Sequence, residues 1–274
     1  MIPASFEYDV ASSADDALQM LASSSDAKLL AGGHSLLPLM KLRLARPSML
    51  VDIGRISDLS YVRDGGDHIA VGALTRHEDV HFDSTLKEHC PILSYTAGQI
   101  GDPQVRHCGT IGGSVAHGDP ASDIPTVLCA LEASVVVRGS NGERTVGATD
   151  FFKGFFEVDL SSQEMITEVR VPKTGGAGWS YQKFHHRAQD WAVVGVAAVA
   201  NNGGARVALT TMGETPVRAR GVEEALGSGS SAADAAARAA EGTSPPSDPF
   251  GSAEYRRELA VVLTRRALEE ALSR

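Results

Sequence analysis

The sequence predicts an α+β fold in three lobes, and three observations carry that prediction. From Ala14 to Val171, short apolar runs of strand length alternate with stretches whose apolar residues recur at helical spacing. A Gly-rich linker, Lys173-Thr174-Gly175-Gly176-Ala177-Gly178, then interrupts the pattern. Beyond it come three closely spaced strand-like runs and a remainder that reads as helical. There is no internal repeat. At 274 residues the chain has room for more than one domain, at roughly 100–200 residues each.

The first lobe, 1–57, opens on Ser13-Ala14-Asp15-Asp16, a capping-box-like start. Ala14, Ala17, Leu18 and Leu21 form the apolar face of the helix that follows. Lys28 to Ala31 reads as a short buried strand running into Gly32-Gly33-His34-Ser35. A helical segment, Leu36 to Arg43, and a strand, Met49 to Ile53, complete the lobe. In the second lobe, 58–173, His68 to Gly72 is a strand and Thr75-Arg76-His77-Glu78 has the spacing of a capping box. Ile92 to Ile100 reads as a helix, Gly101 to Pro120 as a Gly-rich loop, and Ser122 to Ala130 as a helix. Ser134 to Val137 and Arg144-Thr145-Val146 flank Asn141-Gly142, a strong hairpin turn, and Met165 to Val171 closes the lobe as a strand. In the third lobe, 178–274, strands are expected at Trp179–His185, Ala192–Ala200 and Ala205–Met212. Helices are expected at Ala219–Leu226, Ala232–Glu241 and Ser252–Leu272. In the last of these Leu259, Val262, Leu263 and Ala267 form one face, which Arg266 interrupts.

Composition narrows the function. A net charge of −9 argues against nucleic acid as a partner, because phosphate backbones need a cationic face. It leaves a nucleotide cofactor open, since backbone amides hold a pyrophosphate without Lys or Arg. The N-terminal residues have neither the basic start nor the apolar run of a secretory signal. The longest apolar stretch, Ala192 to Ala200, falls short of the ~20 residues that span a bilayer. Cys90, Cys108 and Cys129 form no C-x-x-C pair. The expectation is a cytoplasmic chain that does not hold a four-cysteine iron–sulfur cluster by itself.

Most of the chemistry lies in two Gly-Gly segments. Ala31-Gly32-Gly33-His34-Ser35 sits between a strand and a helix, where glycine allows positive φ and close approach of a ligand, and helix-start amides attract anions. Gly109-Thr110-Ile111-Gly112-Gly113-Ser114 adds the hydroxyls of Thr110 and Ser114. Facing each other, the two would clamp a pyrophosphate from both sides. Neither is G-x-G-x-x-G or a P-loop, and read as spacing alone both also fit simple tight turns.

At this point the sequence resembles a known family. The run Leu30-Ala31-Gly32-Gly33-His34-Ser35-Leu36-Leu37-Pro38-Leu39-Met40-Lys41-Leu42-Arg43-Leu44 resembles the flavoprotein (medium) subunits of bacterial molybdenum hydroxylases. So do Gln104-Val105-Arg106 and the segment from Gly109 to Asp123, and Ala253-Glu254-Tyr255-Arg256-Arg257 looks like the family's C-terminal domain. The family includes aerobic carbon monoxide dehydrogenase and relatives acting on aromatic heterocycles, aldehydes and purines. The resemblance implies a vanillyl-alcohol-oxidase-type FAD-binding fold of two α/β lobes, followed by a small α+β domain. It implies pyrophosphate contacts from Ala31, Gly32, Gly33, His34 and Ser35 and from Thr110, Ile111, Gly112, Gly113 and Ser114. Asp123 would hold the ADP part of FAD, a carboxylate being able to accept several protons. Ile100 joins the cofactor contacts, Ile166 and Lys183 fall beside the isoalloxazine, and Trp191 sits where relatives bring an aromatic ring near the flavin. No catalytic residue beyond the flavin is implied on this chain. Partners are implied too: a small subunit with [2Fe–2S] clusters and a large subunit with the molybdenum cofactor, as a dimer of heterotrimers passing electrons to an external acceptor. His107-Cys108 and Gly118 depart from the family pattern, where Asn-Arg and alanine are frequent.

Other readings compete. His77-Glu78-Asp79-Val80-His81 matches the zinc-protease pattern H-E-x-x-H, but the helix is expected to end near Asp83 and no third histidine motif follows. His185-His186-Arg187 reads as an exposed strand-end cluster, His117 and Asp119 as loop or cofactor contacts, and Cys108 as a small core filler. A stand-alone flavin oxidase or dehydrogenase of the same fold is the alternative function. The hundred or so residues after the linker are few for its substrate domain. A non-redox nucleotide-binding module is the third class.

Overall fold

A computed structural model describes residues 1–274. The first lobe contains β1 (Glu7–Val10), α1 (Ala14–Ser23), β2 (Ala27–Leu30), α2 (Leu36–Lys41) and β3 (Met49–Asp52). β3 lies between β1 and β2 and runs parallel to both. Ser13 caps α1 through the Asp16 amide, as its spacing predicts. β1 is an addition to the expected elements: Glu7-Tyr8-Asp9-Val10 alternates polar and apolar residues over only four positions, and all but Val10 are exposed.

The second lobe is built on a five-stranded antiparallel sheet in the order β4-β5-β10-β6-β7, with β4 (Val62–Asp64), β5 (His68–Gly72), β6 (Ser134–Gly139), β7 (Gly142–Gly147) and β10 (Met165–Pro172). Helices α3 (His77–Phe82), α4 (Ser84–His89), α5 (Pro91–Gly98), α6 (Pro103–Cys108), α7 (Ile111–His117), α8 (Asp123–Leu131) and α9 (Ala148–Phe151) accompany it, with a small hairpin of β8 (Phe152–Gly154) and β9 (Glu157–Val158). Two expectations are corrected here. The stretch from Gly101 to Pro120 is not a loop: it holds α6, started by Asp102 capping the Val105 amide with Pro103 in the first turn, and α7, capped by Thr110. Glycines hide the periodicity of α7, and α6 buries no residue that would mark a face. Thr75 is not a helix cap either. Its hydroxyl binds both the amide and the carbonyl of Tyr61, Arg76 takes the N-cap position without a side-chain bond, and Glu78 pairs with Arg106 at 2.6 Å.

The third lobe is an antiparallel meander, β11 (Trp179–Phe184), β12 (Val194–Asn201), β13 (Gly204–Thr210) and β14 (Val217–Arg218), covered by α10 (Arg220–Gly227), α11 (Ala232–Ala236) and α12 (Ala253–Ser273). α11 ends earlier than its alanine run predicts, giving way to turns from residue 237. One face of the meander, with Tyr181, Ala197, Val199 and Ala208, joins the core of the second lobe. The other, with Val194, Val196, Ala198, Val207 and Leu209, packs under α10 to α12. Burial on both faces explains why β12 reads as an unbroken apolar run. The buried stripe of α12 is Arg256, Ala260, Leu263, Thr264, Ala267, Leu268 and Ala271, while Val262 is exposed. Of the expected face, Leu263 and Ala267 are buried and Leu259 packs half-buried on the same core; Val262 falls outside it, and Arg266 is exposed and does not interrupt it.

Leu128 of α8 is fully buried in the core shared by the second lobe and the meander. Leu128→Ala is expected to cost about 2–5 kcal/mol, read as a lower urea midpoint with unchanged slope.

Candidate functional site

All three lobes meet around a cleft of about 850 Å³, well within the usual range for cofactor pockets. The first lobe contributes the segment after β2, the second the starts of α7 and α8 with the end of the β8–β9 hairpin, and the third the end of β11 and the loop that follows it. Ala31, Gly32, Gly33, His34, Ser35, Ile100, Thr110, Gly112, Gly113, Ser114, Asp123, Ile166, Lys183 and Trp191 all border this one space. Ile111 does not: it is fully buried in the core, and its amide is given to the Thr75 carbonyl.

The glycine segments are in contact, and glycine is required there by the protein's own backbone. A Cβ on Gly32 would fall on the Cys108 carbonyl and crowd Gly109, and one on Gly112 would strike Ala73. Gly33 has φ +72°, a left-handed conformation unfavourable for other residues. Gly113 is different. Exposed to the cleft, its added Cβ would meet only the Thr110 hydroxyl, at 2.8 Å.

The segments also differ in what they offer an anion. In the first, the amides of Gly32, Gly33, His34 and Ser35 donate to no acceptor within the chain. In the second, the amides of Ile111 and Gly112 go to the Thr75 and Ala73 carbonyls, and that of Gly113 to Thr110 Oγ1 at 3.1 Å. Ser114 shares a 3.0 Å hydroxyl contact with Ser122. The symmetric clamp expected from the sequence is therefore replaced by one donor wall, from Gly32 to Ser35, and one closely packed wall, from Gly109 to Ser114. Gly118, one of the departures from the family pattern, ends α7 with φ +62°, where a side chain would be strained.

At the start of α8, buried Asp123 accepts from the Tyr181 hydroxyl at 2.5 Å and from Lys183 Nζ at 2.8 Å. Lys183 also donates to the Gln99 carbonyl at 3.1 Å. Burial, and then the adjacent carboxylate, hold the Tyr181 phenol well above its ordinary pKa. Each Asp123 oxygen keeps a further lone pair for a ligand. The resemblance assigns Asp123 and Lys183 to different ends of FAD, but their ion pair places both at one locus. Sequence reading had no signal for this pairing, since 60 positions separate the partners.

Two cleft residues escaped assignment as cofactor contacts. Phe156, with φ +56°, stacks on His117 at 4.9 Å between ring centres, and both line the cleft. His77 lines it too, only 4% exposed, with its Nδ1 buried and unpartnered. Burial, together with Arg106 and Arg76, lowers its pKa from 6.5 to about 4. As for the zinc-protease pattern, Glu78 is engaged by Arg106 and the His81 ring by the Ser94 carbonyl.

A large cleft with an unengaged row of amides on one wall and a carboxylate–lysine pair on another is the site of a protein that binds an anionic, phosphate-bearing ligand. Comparison with known proteins gives the cofactor and the family. The family model described as "FAD binding domain in molybdopterin dehydrogenase" matches residues 4–174, and "CO dehydrogenase flavoprotein C-terminal domain" matches residues 179–271. The carbon monoxide dehydrogenase medium chain of Hydrogenophaga pseudoflava is 41% identical, with 100% of this chain and 99% of that one covered. The glyceraldehyde dehydrogenase medium chain of Sulfolobus acidocaldarius is 38% identical, with 98% and 99% covered. Among solved structures, carbon monoxide dehydrogenase from Hydrogenophaga pseudoflava superposes with a TM-score of 0.96 at 41% identity, over 100% of this chain and 99% of that chain. Quinoline 2-oxidoreductase from Pseudomonas putida 86 gives 0.93 at 34%, over the same shares of the two chains. The chain belongs to the FAD-binding medium-subunit family of the molybdenum hydroxylases. It is accordingly an oxidoreductase subunit with an FAD-binding domain. The residues present fit that cofactor: its pyrophosphate requires N–H donors, and the amides from Gly32 to Ser35 are free to supply them.

Gly32→Val is expected to lower the stability of the whole chain, because its Cβ meets backbone. Gly113→Val is expected to keep cooperative unfolding and lose bound FAD. Urea midpoint and flavin absorbance per chain, measured together, check both. For His77, the unfolded state binds the proton more readily than the fold does between pH 6.5 and 4. Its contribution is complete above pH 6.5 and is lost as pH falls toward 4, by about 3 kcal/mol in all. Chemical denaturation across this range is expected to show that loss in wild type and a flatter profile in His77→Gln.

Proposed function

We propose that this chain is the electron-outlet subunit of a three-subunit molybdenum hydroxylase. In this reading substrate is oxidised at a molybdenum cofactor on a large partner subunit. Electrons pass through [2Fe–2S] clusters on a small partner, reach FAD here, and leave to an external acceptor, within a dimer of heterotrimers. The observation that carries the proposal is the single cleft onto which all three lobes bring the glycine cradle, Asp123, Lys183 and Trp191. Two further points support it. The three cysteines are free and too few for a four-cysteine cluster, so cluster ligands fall to another chain; Cys90 and Cys129 are buried, while Cys108, expected as a core filler, is exposed. Relatives of near-identical length are named for carbon monoxide, glyceraldehyde and quinoline, so the substrate is set elsewhere in such complexes.

When bound, FAD supplies the conversion between single-electron arrival and two-electron delivery. The chain's residues bind and orient it. The amides of Gly32 to Ser35 neutralise the pyrophosphate by donation, with no cation needed. The packed wall from Gly109 to Ser114 gives the cofactor a surface without side chains at Gly112 and Gly113. Asp123 accepts from a cofactor hydroxyl while Tyr181 and Lys183 hold its carboxylate in place. Ile166 adds an apolar wall, and Trp191, 69% exposed, offers a ring face at the cleft mouth.

Purification with its native partners, reading the visible spectrum and subunit pattern together, tests the proposal. Flavin bands with co-eluting iron–sulfur and molybdenum chains are the expected result. A flavin-containing chain that elutes alone and turns over a substrate would establish a stand-alone oxidase instead. A chain without flavin would overturn the assignment.

A further inference from the structure

We propose that Arg256 of α12 is a positioning residue for the cleft: with Asp248 it clamps the loop between β11 and β12, and so fixes where Trp191 stands. The inference rests on the FAD reading of the cleft. That loop, residues 185–193, contributes Ala188, Gln189, Asp190 and Trp191 to the cleft lining. At the base of the loop the Val193 amide donates to the Phe184 carbonyl at 2.8 Å, and within it the Asp190 amide donates to the Arg187 carbonyl at 3.1 Å, where the two side chains also pair at 3.3 Å. Gln189 has φ +71°, an unfavourable conformation that needs outside support.

The support comes from the third lobe, immediately after Trp191. Thr211 Oγ1 donates to the Ala192 carbonyl at 3.0 Å, and the Arg256 guanidinium donates to the Val193 carbonyl. Arg256 is 1% exposed, and its other nitrogen, Nη2, reaches both oxygens of Asp248 at 2.6 Å. Asp248 is fixed in turn, accepting from the amides of Phe250 and Gly251 just before the α12 N-cap, Ser252. The Thr211 amide donates to the Pro120 carbonyl, which ties the same network to the segment that carries the second glycine wall.

Arg256 is buried while its partner Asp248 stands at the surface, and an ion pair that costs one charge its hydration is poor evidence for stability. Arg256 also leaves its Nε buried and unpartnered. What an apolar residue cannot do is donate to a carbonyl at the base of the loop while held bidentately from behind. The charge therefore serves geometry: α12, whose far end packs on the meander, sets the loop against the cofactor.

The test uses the full-length chain as Arg256→Lys, Asp248→Asn and, as a control, Arg218→Lys, which perturbs another buried guanidinium, paired with Glu132 and Glu223. Tryptic cleavage after the exposed Arg187 is timed under native conditions, with and without flavin. Trp191 emission is read in a Trp179→Phe background. In the first two variants cleavage is expected to accelerate roughly tenfold through local opening, and flavin quenching of Trp191 is expected to weaken, with neither change in the control. Wild-type cleavage and quenching in Asp248→Asn would overturn the proposal even if Arg256→Lys fails to fold. So would an equal effect of Arg218→Lys. The cleavage readout needs no flavin, so a wild-type chain lacking flavin would sink the functional reading and leave the clamp separately decided.

Discussion

The approach of the Gly32 backbone to the Cys108 carbonyl and Gly109 is the contact on which the site depends. It brings the first lobe against the second with no side chain between them, so the strand–turn–helix of one lobe and the α6–α7 junction of the other share a wall. The second lobe's amides from Ile111 to Ser114 are consumed in making that wall, given to Thr75, Ala73 and Thr110. The first lobe's amides, from Gly32 to Ser35, are left over for a ligand. One glycine-rich segment is thus a donor surface and the other a packing surface, though both look alike as sequence.

The third lobe completes the site rather than merely following it. Its meander is buried on both faces, one against α8 and the second-lobe core, the other beneath α10 to α12. Tyr181 and Lys183 reach across that junction to Asp123, and Thr210 donates to Thr126 at 2.8 Å nearby. Burying Asp123 with only one of these donors would leave a poorly compensated charge; two donors and a remaining lone-pair direction let it be both buried and available.

Much of this was legible beforehand, element by element. The capped helix after Ser13, the hairpin at Asn141-Gly142 and the unbroken apolar run of β12 follow from side-chain chemistry and period alone. α6 and α7 did not: α6 is six residues with none buried and so no apolar face, and in α7 two glycines suppress the periodic signal. Leu259, Leu263 and Ala267 place the buried face of α12, but its first member is an arginine, whose partners, Asp248 and the Val193 carbonyl, belong to separate loops.

By itself the sequence determined the α+β class, the main strands and helices of each lobe, the glycine segments and the family resemblance. All of these rest on local periodicity or on contiguous residues. Only the tertiary structure decided which amides are free, that Asp123 and Lys183 form one pair, that Ile111 belongs to the core, and that Arg256 reaches the loop of Trp191. Those are matters of hydrogen-bond competition and burial between residues distant in sequence. A donor's availability is fixed by whatever acceptor folding brings beside it, and no local pattern records that.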